Sequence, residues 1–202
     1  MADERLELED DEVVDEDWYG RDLTGARFAR VRFLEVDLTE AVIIGATFDE
    51  CTFRGATLSS ATITDSAFTS CTFRRTTFSM ATLSRCKLVG STFDTCRWDA
   101  ARVEGGDWSF VGLAQADLRR ASFVDVRMRQ ADLSGLTASG ATLTGLDLSG
   151  ASLHVVDVEG ADLRGTDLSA LELSTARLSG AVVTVEQAVG LAELLGLDVR
   201  VD

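Results

Sequence analysis

Residues 131–150 read ADLSGLTASGATLTGLDLSG, and an apolar side chain returns at every fifth position of this stretch. The same series runs in phase from Trp18 to Val183, and its 34 positions, called centres below, are all Trp, Phe, Leu, Ile, Val, Met or Ala. A period of five fits neither the 3.6 residues per turn of an α-helix nor the alternation of a β-strand. Self-similarity over so many copies predicts a solenoid.

A second apolar position lies two residues before each centre. From Ala26 to Ala181 it is never charged and is most often Ala, and it also holds all four cysteines. Two of every five side chains are therefore expected to point inward. The spacings of 20, 15 and 10 residues between Cys51, Cys71, Cys86 and Cys96 match no zinc site. We expect buried thiols, with a metal or redox role as the lesser alternative.

A longer period of twenty residues sits on the period of five. Ala recurs every twenty residues from Ala41 to Ala181, and Phe33, Phe53, Phe73 and Phe93 form a second column. Four pentapeptides per turn predict a four-sided coil of about eight turns, whose like sides stack ~4.8 Å apart. Glycine recurs two residues after the centre, where the chain must turn a corner.

The chain is strongly acidic, with a net charge of −15 and a sequence pI near 4.4 over 202 residues. Such a charge disfavours direct contact with nucleic acid or anionic membranes and favours a basic partner. The amino terminus lacks the pattern of a signal peptide, and no apolar run reaches the length of a membrane span. We therefore expect a soluble, cytoplasmic protein without membrane contact.

The first 17 residues are the most acidic segment, with ten Asp or Glu and one Arg. This composition is typical of a disordered, solubilising tail, and we expect one over residues 1–17. The alternative is an acidic arm that contacts a basic partner. The coil itself is then expected to occupy residues 18–183.

The sequence changes character over residues 184–202. Thr184 and Gln187 have the spacing of a capping box, apolar residues follow at helical spacing, and Gly196 supplies a stop. Residues 197–201 alternate like a short edge strand. This segment is expected to cap the coil. It also has apolar groups on more than one helix face, which favours a two-fold homodimer through Val185, Ala188, Val189, Leu191, Ala192, Leu194, Leu195 and Leu197.

The repeat resembles the pentapeptide-repeat family, whose consensus is Ala-Asp/Asn-Leu-x-x. Residues 116–120, 131–135 and 161–165 match it fully. The resemblance implies an all-β fold, a right-handed quadrilateral β-helix, here followed by a C-terminal α-helix. The C-terminal segment also resembles the C-terminal module of the quinolone-resistance subgroup, the Qnr type and MfpA, at Glu186, Gln187, Ala188, Leu191 and residues 195–197. That resemblance implies tail-to-tail dimers, DNA gyrase or topoisomerase IV as partner, and mimicry of duplex DNA.

The distribution of charge is relevant to such mimicry. Residues 18–130 have a net charge of +2, whereas residues 131–202 have −8. Carboxylates next to centres in this second part should point outward, and we expect them to form an acidic face that binds the partner: Asp132, Asp147, Asp157, Glu159, Asp162, Asp167 and Glu172. The alternative for each Asp is that it only caps backbone groups at a corner. The unbroken phase also implies none of the inserted loops on which many Qnr proteins depend.

The sequence contains no recognisable catalytic set. His154 is the only histidine and follows a centre, so it is expected to face solvent without a catalytic partner. We expect no enzyme activity, no cofactor and no metal. Two non-enzymatic functions remain open: a DNA mimic that protects or inhibits gyrase in the presence of quinolones or other poisons, and a general scaffold or immunity factor for another basic partner.

Overall fold

The computed structural model of the protein describes residues 6–200, which form a parallel β-solenoid followed by one C-terminal helix. Each of the fifteen strands has three residues, and its middle residue belongs to the apolar series of period five. Each strand pairs in parallel with the strand twenty residues away. Phe53, for example, is the register partner of Phe33 and Phe73. The predicted twenty-residue winding is therefore confirmed.

The strands form ladders on three of the four sides. The first side contains β1 (Glu7–Glu9), β3 (Arg27–Ala29), β6 (Thr47–Asp49) and β9 (Ala67–Thr69). The second contains β2 (Glu12–Val14), β4 (Arg32–Leu34), β7 (Thr52–Arg54), β10 (Thr72–Arg74) and β12 (Thr92–Asp94). The fourth contains β5 (Val42–Ile44), β8 (Thr62–Thr64), β11 (Thr82–Ser84), β13 (Arg102–Glu104), β14 (Ser122–Val124) and β15 (Thr142–Thr144). The third side is joined by single bridges such as Asp37–Thr57.

The corners impose a left-handed backbone conformation that is not limited to glycine. The residue two after the centre has positive φ at the predicted glycines, such as Gly45 at 61°, but also at Arg30 and even at β-branched Val155, both near 55°. This conformation costs a non-glycine residue about 1 kcal/mol or more. The ladder on both sides of each corner holds the chain there regardless of residue type.

The core is a stack of side chains along the axis. Phe33, Phe53, Phe73 and Phe93 stack with ring centroids 4.7 Å apart and planes within 10°. From Leu133 onward the core is mostly leucine and valine. Where the small inward position is polar, its hydroxyl donates to the backbone. The Ser66 hydroxyl, for example, donates to the carbonyl of Thr64 at 2.9 Å and accepts from the N–H of Ala46 at 3.1 Å.

The cysteines occupy the inward positions expected of them. All four are free thiols, and Cys51, Cys71 and Cys86 are buried. Burial raises the pKa of Cys86 to about 11 and that of Cys96 to about 12. These thiols are therefore protonated near neutral pH.

The expectation of a disordered acidic tail is wrong for residues 6–17. β1 and β2 lie in this segment, and Val13 is 4% exposed in the core. The segment is ordered because its strands pair with β3 and β4, and because the next coil places Arg27, Arg30 and Arg32 against its carboxylates. Residues 1–5 of the predicted tail lie outside the described residues.

The C-terminal end departs from the sequence pattern in two places. Leu171, not the predicted centre Leu173, takes the buried position and pairs with Leu153. The cause is a tight turn, in which the backbone carbonyl of Glu172 accepts hydrogen bonds from the N–H groups of Thr175 and Ala176. The helix α1 spans Val185–Leu194. The predicted edge strand is absent over residues 197–200, which have no ladder partner, and residue 201 lies outside the described part.

Candidate protein-binding surface

The seven predicted partner-binding carboxylates do not share one face, because the twenty-residue register distributes them around the rod. Asp147 and Asp167 lie on the first side, Asp132 and Glu172 on the second, Asp157 and Glu159 on the third, and Asp162 on the fourth. The C-terminal half is therefore acidic all round instead of along one stripe.

Five of the seven carboxylates have a basic neighbour. Asp147 accepts from Arg129 at 2.6 Å, Asp162 from Arg164 at 2.6 Å, and Arg177 contacts Glu159 at 2.9 Å and Asp157 at 3.9 Å. Glu172 contacts His154. Among residues 6–200, only Asp132 and Asp167 of this set have no such neighbour. These exposed pairs contribute little to stability, because solvent screens them.

The aspartates before the centres cap the corners. Oδ1 of Asp147 accepts from the backbone N–H of Ser149 at 3.2 Å, and ten aspartates within residues 6–200 make this same bond two residues ahead. Five of them belong to the predicted set: Asp132, Asp147, Asp157, Asp162 and Asp167. These five aspartates therefore cap corners, and a partner-binding role would have to coexist with the capping bond.

Hydrogen bonding to the carboxylate form lowers the pKa of several of these groups. The Ser149 hydroxyl and then the Arg129 guanidinium hold the pKa of Asp147 below its ordinary value, and Arg164 does the same for Asp162. The backbone N–H of Glu159 lowers the pKa of Asp157. These groups therefore remain negative well into the acidic range.

The C-terminal end exposes apolar side chains that no described residue covers. Val185 is 78% exposed, Leu195 68% and Leu197 59%, and no residue of α1 is buried. Of the predicted dimerisation residues, Ala188 and Leu194 are also exposed, whereas Val189, Leu191 and Ala192 are half-buried, and Leu191 packs against the core. A groove of about 520 Å³ separates the helix from residues 166–169.

Gln187 fixes the helix to the end of the solenoid. Its side-chain oxygen accepts from the backbone N–H of Thr184 at 2.8 Å and closes the predicted capping box. Its Nε2 donates to the carbonyls of Leu163 at 2.7 Å and Thr166 at 2.8 Å. The sequence identified Gln187 as a helix signal and as part of the resemblance to a C-terminal module, but not as a contact to the solenoid. Its second role depends on the corner at residues 163–166, which is distant in sequence.

Residues 6–200 lack two other kinds of site. That part of the chain contains no group of three or more His, Cys, Asp or Glu side chains arranged to hold a metal ion. Its one helix is not long and apolar enough to cross a membrane. The features that remain are the charged sides of the rod and its apolar C-terminal end.

Fold and surface together define a rod-shaped repeat protein with charged sides. Family profiles described as pentapeptide repeat region and pentapeptide repeats match residues 21–86 and, in overlapping segments, residues 100–184. The chain therefore belongs to the pentapeptide-repeat family. A comparison with curated protein sequences gives no match.

Several solved structures have the same fold along the whole chain. Two trypsin-treated variants of QnrB1, a plasmid-mediated fluoroquinolone resistance protein, superpose with TM-scores of 0.81 and 0.79 at 21% identity, covering 96% of this chain and 98% of theirs. Full-length QnrB1 gives 0.62 at 18% identity, covering 95% of this chain and all of its own. At these identities the likeness shows a shared fold.

Proposed function

We propose that this protein is a non-enzymatic partner of DNA gyrase or topoisomerase IV that alters the response of the enzyme to quinolones or related poisons. The observation that carries the proposal is the likeness to QnrB1, which extends over 96% of this chain and includes the region of the C-terminal helix. The net charge of −15 supports a basic partner surface, such as one that otherwise holds DNA.

The acidic surface supports a limited form of duplex mimicry. Phosphates surround a DNA duplex, and the carboxylates of the C-terminal half likewise lie on all four sides of the rod. They are sparser than the one charge per ~1.7 Å of duplex axis. The proposed mimicry is therefore one of rod shape and overall sign. Two copies joined at their C-terminal ends would bring two such halves together in one longer rod.

The direct experiment is a supercoiling assay of purified gyrase with and without a fluoroquinolone, together with a binding measurement at low salt. We expect binding, competition with linear DNA, and a change in either drug inhibition or basal supercoiling. Absence of binding at low salt would overturn the proposal. Capture of another basic protein without any effect on supercoiling would favour the scaffold or immunity function instead.

The contact surface can be tested without disturbing the fold. Asparagine keeps the Oδ1 acceptor that caps the corner and removes the charge. We expect the triple change Asp132→Asn, Asp147→Asn and Asp167→Asn to weaken gyrase binding. The matched control Asp17→Asn, Asp22→Asn and Asp37→Asn removes three charges from identical caps near the other end. Equal effects of the two sets would argue against a C-terminal contact surface.

A further inference from the structure

On the third side, the hydrogen bonds donated by the centres are regular above and below one junction. The N–H of Leu58 donates to the backbone carbonyl of Thr77 at 2.7 Å, and the N–H of Phe78 donates to the backbone carbonyl of Arg97 at 2.8 Å. Farther along, the N–H of Leu118 donates to Thr137 at 2.7 Å. This pattern predicts that Trp98 should donate to the carbonyl of residue 117.

The ladder is interrupted between residues 95–100 and 114–120. Within the described chain, the N–H groups of Thr95, Trp98, Ala100 and Asp117 have no acceptor. A fissure of about 330 Å³ lies there, lined by Trp98, Asp99, Arg120 and their neighbours. The inward residues Cys96 and Ala116 are half-exposed, whereas most inward positions of the solenoid are buried.

The opposite side of the same coils is closed and tight. On the first side, the N–H of Asp107 donates to Cys86 at 3.0 Å and that of Trp108 donates to Arg127 at 2.7 Å. Gly106 adopts a φ of 95°, and a Cβ at this position would overlap the carbonyl of Cys86. The two coils therefore form a wedge that is closed at Gly106 and open at Trp98.

The core explains the wedge. Trp98 and Trp108 lie half a turn apart, on the third and first sides, with ring centroids 6.1 Å apart, and both indole N–H groups are buried without a partner. Two large rings at this level hold the wall apart on one side, because tightly packed interiors tolerate extra volume poorly. The only ion pair across the fissure joins Asp99 and Arg120 at 3.8 Å, and its side chains are 61% and 75% exposed. A pair so exposed holds the fissure closed only weakly.

We propose that this junction is a hinge at which the rod bends, with the fissure on the third side opening and closing about the contact between Gly106 and Cys86. Such a hinge is a property of the solenoid itself and is independent of the proposed gyrase binding. A second interruption, between residues 148–150 and 167–169, adjoins the irregular last coil and is not part of the hinge.

Hydrogen exchange of the full chain tests the unpaired ladder. We expect the amides of residues 95–100 to exchange roughly tenfold or more faster than those of residues 55–60 on the same side. Trp98→Leu, which restores the residue type of Leu38, Leu58 and Leu118 in this column, should slow that exchange while leaving residues 55–60 unchanged. Trp98→Phe, which keeps the stack on Phe78, is the second variant if leucine prevents folding. Equal protection of both segments in the unaltered protein would overturn the proposal.

Spin-label distances test the bending itself. Ser59 and Ser139 lie four coils apart on the third side, and Thr69 and Ser149 lie four coils apart on the first, so each pair spans roughly 19 Å at ~4.8 Å per coil. Cysteines for labelling can be placed after the native cysteines are changed to serine, which already fills the inward position at Ser66 and Ser91. We expect a broad distance distribution for the first pair and a narrow one for the second. Equally narrow distributions would contradict a hinge.

Discussion

Oδ1 of Asp147 accepts a hydrogen bond from the backbone N–H of Ser149, and the Ser149 hydroxyl donates back to the same oxygen at 2.6 Å. This small ring closes one corner of the coil, and its backbone half recurs at the other capping aspartates. The same carboxylate therefore stabilises the fold and contributes negative charge outside. Substitution can separate these two contributions.

Removing the acceptor should cost more stability than removing only the charge. We expect Asp147→Ala to lower the free energy of unfolding by about 0.5–1.5 kcal/mol, since a corner N–H loses its partner. Asp147→Asn, which keeps the acceptor and loses only the charged bond from Arg129, should lose less stability than the alanine variant. Urea unfolding of the three proteins measures the difference. Equal losses for both variants would show that the cap contributes nothing.

The pH dependence of stability has a definite sign. The pKa values of Asp147, Asp157 and Asp162 lie below the ordinary value of 3.8 because the folded chain bonds their charged forms. A lowered pKa gives stability that is present above the ordinary value and lost as the pH falls through the folded value. We expect the urea midpoint to be level between pH 5 and 7 and to fall below about pH 4. A midpoint that rose on acidification would contradict these assignments.

Gln187 should determine whether the helix stays docked. Replacing it with alanine removes two donors to the carbonyls of Leu163 and Thr166, and we expect faster amide exchange in α1 and a loss of about 1–3 kcal/mol. Glu193→Ala is the matched control, because this exposed residue of the same helix has no side-chain bond to this corner. Unchanged exchange in the Gln187 variant would show that the helix docks by other contacts.

The exposed apolar end should pair two copies. Leu195 and Leu197 are exposed and lie at the tip of the C-terminal segment, so we expect the double change to aspartate to yield a monomer by light scattering. Ile44→Asp and Val14→Asp, on the sides of the rod and also exposed, form the control and should leave the oligomeric state unchanged. A dimer that persists in the Leu195 and Leu197 variant would contradict pairing through this end.

The sequence predicted most of the fold because each five-residue unit repeats the same requirement for one large and one small inward side chain. It also contained a signal that composition obscured: Leu8 and Val13 continue the period of five into the acidic segment, and the register sets Arg30 against Asp10 at 2.6 Å. The shift from Leu173 to Leu171 could not be predicted, because it follows from a local turn that leaves the period of the sequence intact.

The candidate site was harder to predict for a geometric reason. Adjacent pentapeptides occupy different sides, so Asp157, Asp162 and Asp167 are close in sequence but point in three directions. Only residues twenty apart, such as Asp147 and Asp167, share a column. The arginines that contact these carboxylates lie both within the same pentapeptide, as Arg164 does, and in the neighbouring coil, as Arg129 does. The net charge counted along the sequence therefore overstates the negative charge on any one side of the rod.

The most direct measurement of the central claim is the affinity of purified gyrase for the full chain at low and at moderate salt, with linear DNA as competitor. We predict binding that weakens as salt rises and that linear DNA displaces. Changing Asp132, Asp147 and Asp167 to asparagine should reduce the binding. Changing Asp17, Asp22 and Asp37 to asparagine should leave it unchanged. Binding indifferent to salt, to DNA and to both sets of changes, or no binding at all, would contradict it.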